Sequence, residues 1–205
     1  MKTKLIKIGS IILVLSILVI TTRLYIVSNS ANDSEELSPS EIQQLRKDYP
    51  LIDESLATVD YLELELDQVT EHAETVVDAT IVKKLEPQKI SLDKDSFYTL
   101  YRYEAKLNQV ITNDGSFNKK PGDTFILVLQ DFNIDVFPEI KPGLQGIYPL
   151  FDCSSEQEEE YTFSYPTFYY VTDSNYVLSA FEEDADYQYT GKKSSKLVKS
   201  LKSFQ

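Results

Sequence analysis

Apolar residues are arranged along this chain as one continuous run, several alternating stretches and a few helical stripes. The continuous run extends from Ile8 to Val27 and is interrupted only by small polar residues and by Arg23. Its length matches the ~20 residues that a helix needs to cross a bilayer. Lysines at positions 2, 4 and 7 precede the run, and the positive-inside rule then places the amino terminus in the cytoplasm. The pattern predicts that residues 1–27 form a signal-anchor with a transmembrane helix.

A cleaved secretory signal peptide is the alternative interpretation of the same segment. A basic start, an apolar centre and the small residues at 28–30 before Ala31 all fit this alternative. Arg23 and four more apolar residues separate the main run from that cleavage site, which favours an uncleaved anchor. Both interpretations export residues 31–205. They predict a single-pass protein of the cell membrane with its carboxy-terminal domain outside the cytoplasm, or else a secreted protein.

Residues 28–57 are predicted to be a polar spacer that contains one short helix. Residues 28–41 are polar and acidic and show no apolar period, which is typical of a linker. The helix is predicted over 40–48, with Ser40 as its N-cap and Pro50 just beyond its end.

Alternating apolar and polar positions dominate residues 58–191. The clearest case is 97–111, where Tyr101, Tyr103 and their neighbours of the same parity are apolar while Arg102 and its neighbours are polar. A strand of this length usually bends or carries a bulge. The predicted strands are 62–66, 76–82, 97–111, 124–129, 146–151, 161–171 and 176–181. Residues 87–96 are predicted to be a loop, and Pro149 predicts an edge or a bulge in its strand.

Helical stripes are fewer. Residues 66–76 place apolar side chains three or four positions apart and predict a short helix. The tail 192–205 predicts a basic amphipathic helix whose apolar stripe is Leu197, Val198, Leu201 and Phe204. The fold class is therefore mainly β: a transmembrane helix followed by a small antiparallel barrel at 58–191, with short helices that include one at the carboxy terminus.

The strand order and turn positions resemble those of exported Gram-positive bacterial proteins of unassigned function whose domains are OB-like barrels, comparable to the netrin/tissue-inhibitor module. The resemblance spans roughly residues 60–190 and is carried by the segments ETVVDATIVKKLE (74–86), YTLYRYEAKLNQVI (98–111), TFILVL (124–129), PGLQGIYPLF (142–151) and FYYVTDSNYVLSAF (168–181). Asp78 to Ile81 replaces the usual G-x-V of the first strand, and the cysteines of the animal modules are absent. The resemblance implies a fold but neither protease inhibition nor any functional residue.

The net charge of the chain disfavours some classes of binding partner. The chain of 205 residues carries a net charge of −13, from 20 basic and 33 acidic residues. Residues 1–30 hold four basic residues and no acid, so 16 basic and 33 acidic residues leave −17 on residues 31–205. Such a field repels phosphate backbones and disfavours nucleic-acid binding. It also disfavours an anionic membrane surface, except at the two basic ends of the chain.

This sequence contains few candidate residues for catalysis or metal binding. The single histidine, His72, lies on a predicted helix with no recognisable nucleophile beside it, and we interpret it as a surface residue. The single cysteine, Cys153, is surrounded by acids that oppose formation of a reactive thiolate. None of the acidic clusters has the spacing of an EF-hand loop. We therefore predict no catalytic residue, no metal, no cofactor and no enzymatic activity.

Aromatic residues are dense between 161 and 170. Alternation along one strand would direct half of these rings into the core and half outward, where tyrosines suit a protein surface. The predicted binding residues are Tyr161, Tyr165 and Tyr169, with Glu158, Glu159 and Glu160 steering a basic partner. The competing explanation is that the carboxy-terminal helix covers the same rings within the chain.

These observations predict a membrane-anchored interaction module outside the cytoplasm, with a protein partner, accessory to an envelope or membrane complex. The alternatives are an envelope-acting hydrolase that uses carboxylates, and a secreted factor released by cleavage of the amino-terminal segment.

Overall fold

The computed structural model describes residues 34–52, 66–91, 97–130, 138–152, 160–163, 168–181 and 185–204. The chain divides into two compact units, Met1–Glu35 and Glu36–Gln205. The predicted transmembrane segment 8–27 lies outside the described residues. Within the described part of the chain, no helix combines the length and the apolar character that crossing a bilayer requires.

The described helices are α1 (Pro39–Leu45), α2 (Leu66–His72) and α3 (Ser194–Ser203), with a 3-10 helix at Ala185–Tyr189. The predicted start of the first helix was wrong by two residues, because Ser38 and not Ser40 is its N-cap. The carboxylate of Glu41 accepts a hydrogen bond from the Ser38 backbone N–H at 2.8 Å, and the Ser38 hydroxyl accepts one from the Glu41 N–H. This capping box satisfies two backbone amide donors. Proline is tolerated at position 39 because amides in the first turn of a helix have no carbonyl partner within the helix, so its lack of an N–H costs no hydrogen bond.

Eight strands of the described ranges form one sheet, and the fold is mainly β as predicted. The strands are β1 (Thr75–Lys84), β2 (Gln88–Ser91), β3 (Phe97–Asn113), β4 (Thr124–Gln130), β5 (Gln145–Asp152), β6 (Glu160–Phe163), β7 (Tyr169–Val171) and β8 (Val177–Ser179). The pairing runs β1–β3–β4–β6–β5 and returns from β5 to β1, which makes a closed circuit of five strands. The β4–β6 pair is parallel and every other described pair is antiparallel. Strands β7 and β8 extend the sheet from β5, and β2 pairs with β3.

Strand β3 confirms the alternation seen in its sequence. Tyr103, Ala105 and Leu107 are buried, whereas Lys106 and Asn108 between and beside them are exposed. The predicted irregularity is also present, since the register between β1 and β3 shifts at three places. These shifts increase the local twist and let a strand of 17 residues curve around the closed circuit.

Alternation divides the core into two clusters on opposite faces of the sheet. The larger cluster draws buried residues from all five strands of the circuit, including Val77, Tyr103, Leu127, Tyr148 and Phe163, and therefore fills its interior. The smaller cluster joins the outward residues of β5, β7 and β8 to the helices and includes Ile147, Tyr169, Val177, Leu197 and Leu201. Helices α2 and α3 thus close a second core outside the circuit.

Three sequence predictions are corrected by long-range pairing. The helix predicted over 66–76 ends at His72, because Thr75 and Val76 pair with both β3 and β5. Part of the predicted loop 87–96 is strand β2, which pairs with the start of β3. The single strand predicted over 161–171 is two strands with different neighbours, because β6 lies between β4 and β5 whereas β7 lies between β5 and β8.

Strand β5 has a neighbouring strand on each side at both of its ends. Pro149 therefore does not lie in an edge strand, which was one of the two possibilities predicted for it. One side of β5 pairs with β1 throughout, from Gln145 to Leu150. The other side pairs with β7 up to Ile147 and with β6 from Leu150 onward. Among the described residues on this side of β5, Pro149 lies between the end of the pairing with β7 and the start of the pairing with β6. Its missing N–H therefore removes no hydrogen bond from either of these two pairings.

Candidate binding pocket

The predicted aromatic surface is largely interior. Tyr161 is half-buried, and its ring lies edge-on to those of Phe117 and Phe125, with centroids 5.1 and 6.0 Å away. Tyr165, Glu158 and Glu159 lie outside the described residues. Tyr161 therefore contributes to packing around the larger core cluster.

The expectation that half of these rings face outward is wrong for residues 168–170. Phe168, Tyr169 and Tyr170 are only 1–2% exposed. Alternation does direct Tyr169 away from Phe168 and Tyr170, but the outer side at this position is covered by Leu197 and Leu201 of α3. The competing explanation, that the carboxy-terminal helix covers the ring of Tyr169, is the one that the structure supports.

Glu160 also has a different environment from the one expected of a steering charge. Its side chain is 6% exposed and forms an ion pair with Arg102 of β3. The Arg102 Nε and the second carboxylate oxygen of Glu160 are buried without a hydrogen-bond partner among the described residues. A buried, paired carboxylate attracts a distant partner far less than an exposed one, so Glu160 belongs to the link between β3 and β6.

The other chemical candidates of the sequence are the single histidine and the single cysteine. His72 is exposed at the end of α2, which confirms its interpretation as a surface helix residue. Cys153 lies outside the described residues. In the described ranges, no three histidine, cysteine, aspartate or glutamate side chains are close enough together to hold a metal ion.

A pocket of about 340 Å³ lies beside the carboxy-terminal end of α1. Three parts of the chain build it: the segment after α1, the turn before β5, and one residue of β7. The lining residues are Lys47, Asp48, Tyr49, Pro50, Glu139, Lys141, Gly143, Leu144 and Tyr170. This volume falls within the range of small-molecule and side-chain binding pockets.

Two tyrosines give this pocket an aromatic wall. The rings of Tyr49 and Tyr170 meet edge-on with centroids 5.6 Å apart. The Tyr170 hydroxyl donates a hydrogen bond to the carbonyl of Pro50 at 3.0 Å. Arg46 Nη1 donates to the carbonyls of Ser179 at 2.7 Å and Tyr49 at 3.2 Å. These bonds hold the segment after α1 against the β7–β8 hairpin, so the aromatic wall is preformed.

The charges around the pocket have both signs. Lys47, Asp48, Glu139 and Lys141 all line the pocket. Lys141 lies 3.8 Å from the Glu139 carboxylate in an exposed pair that contributes little energy. Burial raises the pKa of Tyr49, and the nearby charge of Asp173 raises it further. Burial also raises the pKa of Tyr170. Both phenols therefore stay protonated at neutral pH and can donate or accept a hydrogen bond.

No sequence signal connects the two sides of this pocket. Tyr170 and Pro50 are 120 positions apart, and their contact depends on docking α1 against the hairpin. In the sequence, Tyr170 is one ring of an aromatic stretch, and Pro50 marks only the end of a predicted helix. Tyr49 and Pro50 follow the predicted helix directly in the sequence, but this adjacency does not show which part of the fold they contact.

The chain matches no protein-family model, and a search of curated proteins finds no significant match.

Proposed function

We propose that this protein is an interaction module that binds a segment of a protein partner in the pocket between α1 and β7. The observation that carries this proposal is the preformed wall of Tyr49 and Tyr170 beneath a rim of two lysines and two acids. Tyr49 is the partly exposed ring of this wall and offers contact area with a small loss of entropy on binding, whereas the buried Tyr170 supports it from below. A rim of both signs suits the mixed polar groups of a peptide. No enzymatic step is part of this proposal.

We propose that the folded unit is an OB-like barrel. The support is a closed circuit of five strands in which one parallel pair, β4–β6, joins antiparallel neighbours. The OB fold is a small five-stranded Greek-key barrel, and short elements such as β7, β8 and α3 can extend it. The fold alone assigns no ligand, since OB barrels serve many functions.

We also propose that residues 8–27 anchor the module in the membrane and hold the folded unit outside the cytoplasm, where it is accessory to an envelope or membrane complex. The support is the apolar length of this segment and the lysines at positions 2, 4 and 7. The net charge of −17 on residues 31–205 favours a protein partner over nucleic acid.

Protease shaving of intact cells tests the placement. We expect the folded unit to be cut from outside, while a short amino-terminal fragment stays with the membrane fraction. Full-length protein that resists shaving in intact cells but is cut after lysis would contradict the orientation. A mature chain that begins near Ala31 would contradict the anchor and favour the secreted alternative.

Site-specific photo-crosslinking tests the pocket. A photoreactive residue in place of Lys141, on the rim, is expected to give one discrete adduct in intact cells. The control position is Lys120, an exposed residue of the turn before β4 that does not line the pocket. Reversing the charge at Lys47 should reduce the adduct at position 141 several-fold. The charged groups of the rim are then all acidic and repel acidic groups of the partner segment. Equal adducts at positions 141 and 120 would exclude the pocket as the specific site.

A further inference from the structure

Helix α3 concentrates positive charge on a strongly acidic protein. Five lysines lie between residues 192 and 202, and no acid occurs from Gly191 to Phe204. Leu197 and Leu201 are buried against the sheet, whereas Lys196, Lys199 and Lys202 are exposed. We call these three exposed lysines the lysine face of α3. It occurs on a folded unit whose net charge is otherwise negative.

The two lysines before the helix are held by the folded unit itself. Lys192 lies over the ring of Tyr189 at 5.7 Å, and Lys193 lies over the ring of Tyr176 at 3.8 Å. Lys193 also donates to the carbonyl of Ser174 at 3.3 Å. These contacts fix the start of α3, so the lysine face has a defined orientation relative to the sheet.

The linker from the amino-terminal segment joins the folded unit beside the start of this helix. The Leu37 N–H donates to the Gly191 carbonyl at 2.8 Å, and Glu36 forms a β-bridge with Lys192. Nine residues lie between Val27 and Leu37. The ten Cα–Cα steps between these two residues reach at most about 35 Å when fully extended, which is about four Debye lengths at physiological ionic strength. An anchor at residues 8–27 would therefore keep this end of the unit close to the membrane.

We propose that the lysine face of α3 docks on anionic phospholipid headgroups of the membrane leaflet from which the folded unit emerges. This inference rests on the proposed anchor, which brings the helix within reach of that surface. Docking there turns the three lysines toward the lipid, where they offset the net negative charge of the unit at its contact with the anionic surface. Phe204, 49% exposed just after the helix, adds an apolar side chain at the same end.

Neighbouring acids limit the strength of this docking. Helix α2 packs beside α3 and exposes Asp67 and Glu71, and Glu36 lies next to Lys192. A lysine near an anionic membrane surface changes the binding equilibrium by about fivefold. Loss of all three lysines should therefore lower the ratio of docked to undocked domains by roughly 100-fold.

The test uses the full chain reconstituted into vesicles. One vesicle type contains phosphatidylcholine alone, and the other contains equal parts of phosphatidylcholine and phosphatidylglycerol. A fluorophore is attached at Ser203→Cys in a Cys153→Ser background, and a lipid-headgroup quencher reports how close α3 lies to the surface. We expect stronger quenching in the anionic vesicles. This difference should disappear when salt shortens the Debye length from about 10 Å to about 3 Å.

Variants separate charge from structure. Glutamine at positions 196, 199 and 202 together should abolish the extra quenching, and arginine at the same positions should preserve it. The matched control replaces three other exposed lysines, Lys84, Lys106 and Lys120, by glutamine and should leave the quenching unchanged. Circular dichroism checks that each variant is folded. If the chain with glutamine at positions 196, 199 and 202 is quenched in anionic vesicles as strongly as the unsubstituted chain, the inference is overturned.

Flotation distinguishes this inference from the proposed anchor. A chain that floats with both vesicle types but shows no lysine-dependent quenching retains the anchor and overturns lipid docking. A chain that floats only with anionic vesicles, and only with its lysines, supports docking and overturns the anchor. Flotation with neither vesicle type overturns both. Lysine-dependent binding of inorganic polyphosphate without any lipid effect would overturn the lipid in favour of a soluble anionic polymer.

Discussion

Replacing Leu197 and Leu201 together with alanine is expected to lower the free energy of unfolding by about 5 kcal/mol. The two side chains are 0% and 2% exposed and cover the outer cluster that contains Tyr169 and Val177. A buried leucine changed to alanine costs about 2–5 kcal/mol, because apolar contacts are lost and a cavity remains. A domain has a total stability of about 5–15 kcal/mol, so the double variant should be close to unfolded.

Denaturant titration of the full chain in detergent micelles measures this effect. The chain has 14 tyrosines and no tryptophan, so tyrosine fluorescence and circular dichroism are suitable probes. The control is Phe204→Ala on the same helix, which should change the free energy of unfolding by less than about 0.5 kcal/mol because the ring is half exposed. A double variant within about 1 kcal/mol of the original chain would show that α3 does not cover Tyr169. The ring would then be available to a partner.

Gly146→Ala is expected to destabilise the protein by about 3 kcal/mol. A Cβ at this position would overlap the ring of Phe168 and come within 2.9 Å of the Cζ atom of Tyr148. These two rings are fully buried and stacked with centroids 4.9 Å apart, so neither can move without disturbing the interior of the circuit. Inserting even one methyl group into such a core typically costs about 1–3 kcal/mol.

Thermal and denaturant unfolding of Gly146→Ala should be compared with two further variants. Phe168→Leu combined with Gly146→Ala should recover part of the loss, since the smaller side chain leaves room for the methyl group. Gly122→Ala is the control for backbone strain, because its Cβ would meet no atom within 4 Å while its φ of +99° still disfavours alanine by about 1–2 kcal/mol. Equal effects at positions 146 and 122 would contradict the steric explanation.

Local patterns in the sequence predicted elements whose determinants lie within a few residues. Alternation along 97–111 predicted the buried and exposed sides of β3, and the stripe in the tail predicted α3 and its buried leucines. The residues between the strands predicted at 161–171 and 176–181 form a turn, with Asn175 in the left-handed region at a φ of +61°. These features depend on backbone preferences and on the period of side chains along one element, both of which are written in the local sequence.

Only the tertiary structure decided what covers each face. Alternation separates Tyr169 from Tyr170, but it does not reveal that α3 covers one ring and that the segment after α1 packs on the other. The burial of Glu160 beside Arg102, and the meeting of Tyr49 with Tyr170, likewise join parts of the chain that are far apart. By itself, the sequence determined most of the strands and the charge distribution. The pocket beside α1 and the buried ion pair arise from long-range packing, which has no period along the chain.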